Sequence, residues 1–252
     1  MITMVVLGVQ VSVAATYTWI GTEAGADWLN PANWNPNGLP SRAASDTGYI
    51  NTVTGPVFYD GSGSCHALEI GQTGEGRMDI LGGTFSATGF DVGSAAGFKG
   101  TLNVYGGTHE CRYLCPGFRG DGTVNMYDGQ ITVTGEIRVA YYATAIGFLN
   151  LEGGLITSPG ISIAPRGGGD IGSILVKDGV LLINGANAES VLLPRLQGYI
   201  NNGWITAADG YELVLEFNGD KYPGVTALYA IPEPATLALL AAGLMGVIRR
   251  RG

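Results

Sequence analysis

Five acidic residues in the middle of the chain are the first candidates for chemistry. They are Glu69, Asp79, Asp91, Glu152 and Asp178. Each lies in or beside a short stretch in which apolar and polar residues alternate, so we expect its carboxylate on the polar face of a strand. Two carboxylates at the right separation can hydrolyse a glycosidic bond, one as an acid and the other as a base or nucleophile. The sequence does not fix the separation of any two of them, so this chemistry stays one hypothesis.

The cysteines and histidines are the next candidates, because thiolates and imidazoles bind metal ions. The three cysteines, Cys65, Cys111 and Cys115, cannot all pair within the chain, so at least one thiol is free or pairs with another molecule. His109, Cys111 and Cys115 have the same parity along one extended stretch. Ligands spread along a strand do not converge on a tetrahedral ion. We therefore predict neither a metal site nor a cofactor.

Most of these residues lie in or beside a repeat whose copies begin 24, 22, 25 and 25 residues apart. Each copy starts with glycine, alternates polar and apolar residues, and ends in Gly-Gly or Asp-Gly. The copies are 76–83, 100–107, 122–129, 147–154 and 172–179. Alternation with a period of two over so few residues predicts short strands, and the last glycines supply the positive φ angles of tight corners.

The repeat predicts an all-β fold, a single-stranded parallel β-solenoid (β-helix) whose coils stack about 4.8 Å apart. Alternation places these side chains inside: Met78, Ile80, Leu102, Val104, Val124, Met126, Leu149, Leu151, Ile174 and Val176. Further apolar pieces at 68–70, 90–92, 113–115, 137–139 and 161–163 place Cys115 inside as well, in register with Val92 and Val139. A β-sandwich is the alternative fold, which the nearly constant repeat length disfavours.

The polar positions between the inward pairs form a column of asparagines beside a column of tyrosines. The candidate ligand-binding face consists of Asn103, Tyr105, Asn125, Tyr127 and Asn150. Stacked asparagines pass hydrogen bonds from coil to coil, and stacked tyrosines stabilise the sheet. The alternative is that the same residues bind sugars, since tyrosine offers an apolar ring and a polar hydroxyl.

Residues 16–60 and 186–230 flank the repeats of 61–185 and predict two caps. The first is rich in tryptophan (Trp19, Trp28 and Trp34) and would cover the apolar end of the stack. It resembles the N-terminal module of secreted, autotransporter-like β-strand repeat proteins. Sugar binding by the tryptophans is the alternative. The second cap is predicted to hold a short helix, ending at Asn202-Gly203, and two strands.

Residues 1–15 have the features of a signal peptide. An apolar run from Met4 to Val13 is followed by Ala14 and Ala15, small residues that suit a signal peptidase. We predict that the chain is exported and that this segment is removed. A buried N-terminal strand is the alternative.

Residues 231–252 combine Pro232, Glu233 and Pro234 with an apolar stretch at 235–248 and three arginines, Arg249, Arg250 and Arg251. As a helix the stretch would be about 21 Å long, short of a hydrocarbon core of about 30 Å. This order resembles the PEP-CTERM sorting signal of Gram-negative bacteria. The resemblance implies a C-terminal transmembrane sorting helix held transiently in the inner membrane. It also implies recognition by an exosortase-type membrane protease and removal of the tail. A permanent tail anchor is the alternative.

The amino-acid composition excludes a helical protein and disfavours a nucleic-acid-binding function. The chain has 42 glycines among 252 residues, a content too high for a helical protein, and a net charge of −8, which disfavours nucleic acid as a partner. We expect an exported structural or adhesive protein of the cell surface or extracellular matrix, associated with exopolysaccharide or biofilm. Constant repeat lengths leave no room for loops that would wall a substrate groove, so we predict no catalytic residue. The alternative is a carbohydrate-binding module or a polysaccharide lyase or glycosidase on the same scaffold.

Overall fold

The computed structural model describes residues 13–58, 60–164, 171–185 and 188–233. It confirms the predicted fold, an all-β parallel β-solenoid of about five turns. The predicted signal peptide, apart from residues 13–15, lies outside the described residues, as does the predicted transmembrane helix at 235–248. Within the part of the chain that is described, no helix is long and apolar enough to cross a bilayer.

The first ten strands are β1 (Thr16–Trp19), β2 (Trp34–Asn35), β3 (Thr47–Ile50), β4 (Val57–Phe58), β5 (Ser62–Ser64), β6 (Ala67–Ile70), β7 (Gly76–Ile80), β8 (Thr84–Val92), β9 (Lys99–Val104) and β10 (Thr108–Pro116). The others are β11 (Asp121–Met126), β12 (Gln130–Val139), β13 (Ile146–Leu151), β14 (Leu155–Ser158), β15 (Ile161–Ile163), β16 (Ile171–Val176), β17 (Val180–Ile183), β18 (Ile205–Ala207), β19 (Tyr211–Phe217) and β20 (Thr226–Pro232). The helices are a 3-10 helix at Pro31–Asn33, a π-helix at Ala188–Leu192 and α1 at Leu193–Asn201.

The strands form two sheets that face each other across the core. The long sheet has the order β19-β20-β17-β14-β12-β10-β8-β6-β3-β1-β2, with β15 beside β12 and β5 beside β8. The short sheet has the order β18-β16-β13-β11-β9-β7-β4. Pairing is parallel except at the ends of the long sheet, where β1–β2, β17–β20 and β19–β20 are antiparallel. The chain therefore alternates between the sheets once per coil, as a β-solenoid requires.

The apolar columns lie where the alternation places them. Leu102, Val124 and Leu149 are register partners in successive coils of the short sheet. All ten predicted inward side chains of this sheet are at most 1% exposed. Since each coil buries its apolar face only against its neighbours, stacking is the source of the core.

Two kinds of glycine shape the corners. Gly107 and Gly129 end their repeats in the left-handed region, with φ of 89° and 84°. Gly122, at the start of a repeat, is required for a different reason. A Cβ there would collide with the carbonyl oxygen of Val92 and the amide nitrogen of Gly117. The first glycine of the repeat therefore lets two backbones approach, and the last one makes the turn.

The predicted register of Cys115 with Val92 and Val139 is wrong, although its thiol is buried as expected. In β10, Cys111 and Leu114 both point into the core although they are three residues apart, because the strand bends between them. After the bend Cys115 pairs with Asp91 on the outer face, and Pro116 pairs with Val92. Simple alternation fails here because it assumes a straight strand.

The tryptophans of the N-terminal segment pack against each other inside the fold. The ring centroids of Trp28 and Trp34 are 4.5 Å apart, and Trp19 lies 5.2 Å from Trp34, in edge-to-face geometry. Trp28 also contacts Phe85 of the first full repeat at 4.9 Å. Each tryptophan is at most 2% exposed, so none offers a ring face on which a sugar could stack.

At the other end, α1 and the β19–β20 hairpin follow the last repeat. The helix begins at Leu193 and ends at Asn201, and Gly203 adopts a φ of 71° just beyond it, as the sequence predicts. β20 pairs antiparallel with β17, the last parallel strand of the long sheet. The antiparallel hairpin ends the parallel stacking, and β18, only three residues long, leaves a short edge on the other sheet.

Candidate functional site

A ladder of side-chain amides runs along the outer face of the short sheet. The amide of Asn150 donates to Oδ1 of Asn125 at 2.7 Å, and the amide of Asn125 donates to Oδ1 of Asn103, also at 2.7 Å. Asn103 in turn donates to Asp79 at 2.6 Å. Parallel in-register strands bring these residues opposite each other in every coil, so each amide can act as donor and acceptor at once.

The two ends of the ladder have different chemistry. At the N-terminal end Asp79 accepts from Asn103 and also from Arg77, whose Nη2 lies 2.8 Å from Oδ2. A carboxylate accepts without donating, so it is a suitable end for a chain of donors. At the other end Leu175 occupies the register position after Asn150 and has no polar side-chain group. The ladder therefore covers four coils and is polarised along the stack.

Beside the ladder, Tyr105 and Tyr127 stack face to face. Their ring centroids are 4.7 Å apart, the angle between the rings is 7°, and the side chains are 40% and 42% exposed. Desolvation and the neighbouring Tyr105 raise the pKa of Tyr127, so its hydroxyl stays protonated at neutral pH. The predicted face (Asn103, Tyr105, Asn125, Tyr127 and Asn150; the Asn/Tyr face) is thus a flat surface with two exposed phenols. Asn103 itself is only 5% exposed, so its role there is mainly structural.

Asp79 does not share a site with Asp91, the acid that follows it in the same coil. Asp79 lies on β7 in the short sheet and Asp91 lies on β8 in the long sheet, on opposite sides of the core. Their carboxylates therefore cannot act together on one bond. Asp79 is also held in the ladder by two donors.

Two other candidate acids contact side chains that stabilise the fold. Glu152 forms an ion pair with Lys177 at 3.4 Å, and Asp178 accepts a hydrogen bond from the hydroxyl of Tyr211 at 3.1 Å. Both contacts join neighbouring coils or the last coil and the hairpin.

Glu69 and Asp91, both candidate acids from sequence, form a pair that the sequence did not predict. They are register partners on β6 and β8, and Cys115 follows Asp91 in the next coil. The hydroxyl of Ser94 donates to Glu69 at 2.7 Å. Desolvation, with a smaller contribution from Glu69, raises the pKa of Asp91 to about 7. The sequence does contain a signal for this pair. In the second apolar piece of each repeat the central residue faces outward, and Glu69 and Asp91 are the central residues of two such pieces.

The C-terminal motif begins where the last strand ends. Pro232 is the final residue of β20 and pairs with Tyr211, and the amide of Glu233 donates to the carbonyl of Gly210 at 2.9 Å. Residues 230–251 match the PEP-CTERM protein-sorting motif. The chain is therefore an exported β-solenoid protein that carries the recognition signal of an exosortase. Pro234, Arg249, Arg250 and Arg251 of the PEP-CTERM motif lie outside the described residues. No curated protein and no solved structure matches the chain.

The thiols and the buried imidazole of this PEP-CTERM protein belong to the packing of the coils. Cys65, Cys111 and Cys115 are all free and buried. Cys111 pairs with Ala87, whereas Cys65 follows the Ser64–Ser86 pair one coil earlier, so the two cysteines are two coils apart, as predicted. Burial raises the pKa of all three thiols, which keeps them protonated.

His109 points into the core. Its Nε2 donates to the carbonyl oxygen of Gly106 at 2.8 Å, and burial lowers its pKa, so the imidazole is neutral. Among the described residues, no group of three or more histidines, cysteines and acids is placed to hold a metal ion. His109 therefore acts locally, by closing the turn that precedes β10.

Proposed function

We propose that the mature protein is a structural or adhesive component of the cell surface or extracellular matrix of a Gram-negative bacterium. The observation that carries this proposal is the position of the sorting motif. The motif starts at the last residues of β20, so removal of the tail leaves every described strand in place. A complete solenoid with capped ends is then released from the membrane as a rigid rod. Such a rod suits a structural role because its coils support one another along the axis.

We further propose that the Asn/Tyr face contacts extracellular polysaccharide, in a biofilm or exopolysaccharide layer. Its support is the geometry of the tyrosine stack, which offers an extended apolar surface with hydroxyls at its edge. The ladder beneath it holds the strands in register and keeps the surface flat. Because the chain carries a net charge of −8, we expect neutral polymers to bind better than anionic ones.

We propose a binding role and not an enzymatic one. Asp79, Glu152 and Asp178 contact neighbouring side chains that belong to the fold, and Asp79 and Asp91 are on opposite sheets. The test is incubation of the purified protein with neutral and acidic polysaccharides, followed by measurement of chain length. Unchanged polymers support the proposal. Depolymerisation that a single change such as Asp91→Asn abolishes would overturn it.

Mass spectrometry of the exported protein tests the sorting step. We expect a C-terminus between Pro232 and Ala235 and accumulation of the unprocessed chain in the membrane fraction for Glu233→Ala. Glu212→Ala, at an exposed position of β19 outside the motif, is the matched control and should be processed normally. Exported material that ends in Arg251 and Gly252 would contradict processing.

A glycan array tests the Asn/Tyr face. The double variant Tyr105→Ala and Tyr127→Ala should lose polysaccharide binding while its thermal unfolding stays cooperative. The double variant with phenylalanine at both positions keeps the rings and should retain most of the affinity. A glycan profile that is the same for the parent and the alanine variant would exclude this face as the contact.

A further inference from the structure

A second candidate site lies on the long sheet, whereas the Asn/Tyr face is on the short sheet. It is a pocket of about 270 Å³, and we call it the corner pocket. Its lining includes His66, Asp91, Tyr113, Arg138 and Tyr142. These residues come from four successive coils, so only the stacked solenoid assembles the site. None of them belongs to the Asn/Tyr face.

The floor of the corner pocket is polar. Asp91 and Cys115 are register partners there, and Cys115 is only 1% exposed. Gly89, two residues before Asp91, leaves the carboxylate open to the pocket, since a Cβ at Gly89 would lie 3.1 Å from Oδ2 of Asp91. On one side the ring nitrogen Nδ1 of His66 lies 3.3 Å from the hydroxyl of Thr88. The floor therefore offers both acceptors and donors to a ligand.

The walls combine aromatic rings with guanidinium groups. The Arg138 guanidinium carbon lies 3.9 Å from the ring centroid of Tyr113 and 4.6 Å from that of Tyr141. The Arg138 Nε also donates to Glu136 at 2.9 Å, which offsets its charge and fixes its orientation. Most of the wall surface is therefore aromatic, and the N–H groups of Arg138 at its edge can donate hydrogen bonds in fixed directions.

Two more aromatic rings near the pocket also have an arginine over them. Arg119 lies 5.2 Å from the centroid of Phe118 and 4.9 Å from that of Tyr142. Phe118 and Tyr142 meet edge to face at 5.1 Å. The rings of the cluster thus contact one another, and two arginines already interact with them.

These contacts restrict the class of ligand. A cationic ligand would meet two guanidinium groups that already interact with the rings, so the cluster is unsuited to binding an ammonium group. An anionic ligand would meet the carboxyl group of Asp91 on the floor. An uncharged ring with several hydroxyls matches both the aromatic walls and the polar floor. The volume is just below the range of about 300–1,000 Å³ typical of drug-sized ligands, which suits one sugar ring and not an oligosaccharide.

We propose that the corner pocket binds a single uncharged pyranose residue, at the end or on a branch of an extracellular polysaccharide. The ring packs against the aromatic wall, its hydroxyls donate to the carboxyl oxygens of Asp91, and the Arg138 edge donates to a ring or hydroxyl oxygen. This site is independent of the Asn/Tyr face. A solenoid with both sites can hold a polymer along one side and a chain end on the other.

Isothermal titration calorimetry of the purified full chain tests the proposal, with the methyl glycosides of glucose, galactose and mannose as probes. The methyl glycoside of glucuronic acid, with its carboxylate free, and choline are the charged comparisons. We expect at least one neutral glycoside to bind and both charged compounds to bind at least tenfold more weakly. No heat with any neutral glycoside, or tighter binding of a charged compound, would overturn the proposal.

Single substitutions test whether the neutral glycoside binds in the corner pocket. Tyr142→Ala should weaken the neutral glycoside at least tenfold, and His66→Ala, at an exposed position with little effect on folding, should weaken it several-fold. Phe148→Ala removes a 37% exposed ring from the short sheet and is the control that keeps full affinity. Unchanged binding in both pocket variants, or binding lost only with Tyr105→Ala, overturns the corner pocket and leaves the Asn/Tyr face untouched. If only Tyr142→Ala and His66→Ala lose glycoside binding, the corner-pocket proposal is supported, even if the Asn/Tyr face binds no sugar.

Discussion

The side-chain amide of Asn125 donates to Oδ1 of Asn103 at 2.7 Å, while its own oxygen accepts from Asn150 at the same distance. Alanine at position 125 would remove both bonds, one from the buried Asn103 and one from the partly buried Asn150. An unmade hydrogen bond of this kind costs about 1–3 kcal/mol. We therefore expect Asn125→Ala to lower the free energy of unfolding in urea by about 2 kcal/mol.

The matched control for the ladder is Thr123→Ala. Thr123 lies on the same face of β11, two residues earlier, and is similarly half-buried. This variant should change the free energy of unfolding by no more than about 0.5 kcal/mol, as most surface substitutions do. Equal losses in the two variants would show that the amide ladder does not stabilise the stack.

The raised pKa of Asp91 predicts that stability depends on pH. Its carboxyl has a pKa of about 7 in the folded protein against 3.8 for an unperturbed aspartate, so the folded state holds the proton more tightly than the unfolded chain does. The contribution of Asp91 to the free energy of unfolding should therefore be highest at low pH, fall as the pH rises from about 4 to about 7, and then level off. The difference between the two plateaus is on the order of 4 kcal/mol at most.

Urea unfolding at pH 4.5 and pH 8 measures this effect. Asp91→Asn keeps the shape of the side chain and removes the charge, so the variant should be more stable than the parent at pH 8 and closer to it at pH 4.5. Asp60→Asn, at an exposed position, is the control and should follow the parent at both pH values. A parent protein that gains stability between pH 4.5 and pH 8 relative to Asp91→Asn would contradict the prediction.

The glycines that begin the repeats predict a sharp contrast between two substitutions. In Gly122→Ala the new methyl group collides with the backbone of Val92 and Gly117, so we expect a loss of at least about 2 kcal/mol in the free energy of unfolding. In Gly198→Ala the methyl group meets no atom within 4 Å, and the site is inside α1. Alanine is the better helix former by about 1 kcal/mol, so this variant should gain stability.

Thermal unfolding followed by circular dichroism separates the two glycine variants. The midpoint of Gly122→Ala should fall below that of the parent, and that of Gly198→Ala should lie at or above it. If both variants shifted the midpoint in the same direction by the same amount, the close approach of two backbones would not be the reason that position 122 requires glycine.

The three thiols should be unreactive in the folded protein. Burial raises the pKa of Cys65, Cys111 and Cys115, and the thiolate is the form that reacts. Ellman's reagent should therefore detect almost no thiol in native protein and three after unfolding in urea without a reductant. Cys115→Ala should reduce the second count to two. A count below three for the unfolded parent would indicate a disulfide or oxidation.

Sequence reasoning was most accurate where one residue type recurs in a straight strand. The columns of Leu102, Val124 and Leu149 and of Asn103, Asn125 and Asn150 follow from a period of two and a repeat of nearly constant length. It failed at Cys115, because the strands of the long sheet bend and the pairing of β10 with β12 shifts by one residue between Cys111 and Tyr113. Alternation carries no information about where a strand bends.

By itself the sequence determined the stacking, the apolar interior and the C-terminal sorting motif, since each depends on local order along the chain. Only the tertiary structure decided which outward residues of different coils share a site. Glu69 and Asp91 are 22 residues apart in the chain, and Asp91 and Arg138 are 47 apart. They face one corner only because hydrogen bonding between parallel strands fixes the register of each coil. The desolvation that raises the pKa of Asp91 arises in the same way, from side chains contributed by neighbouring coils.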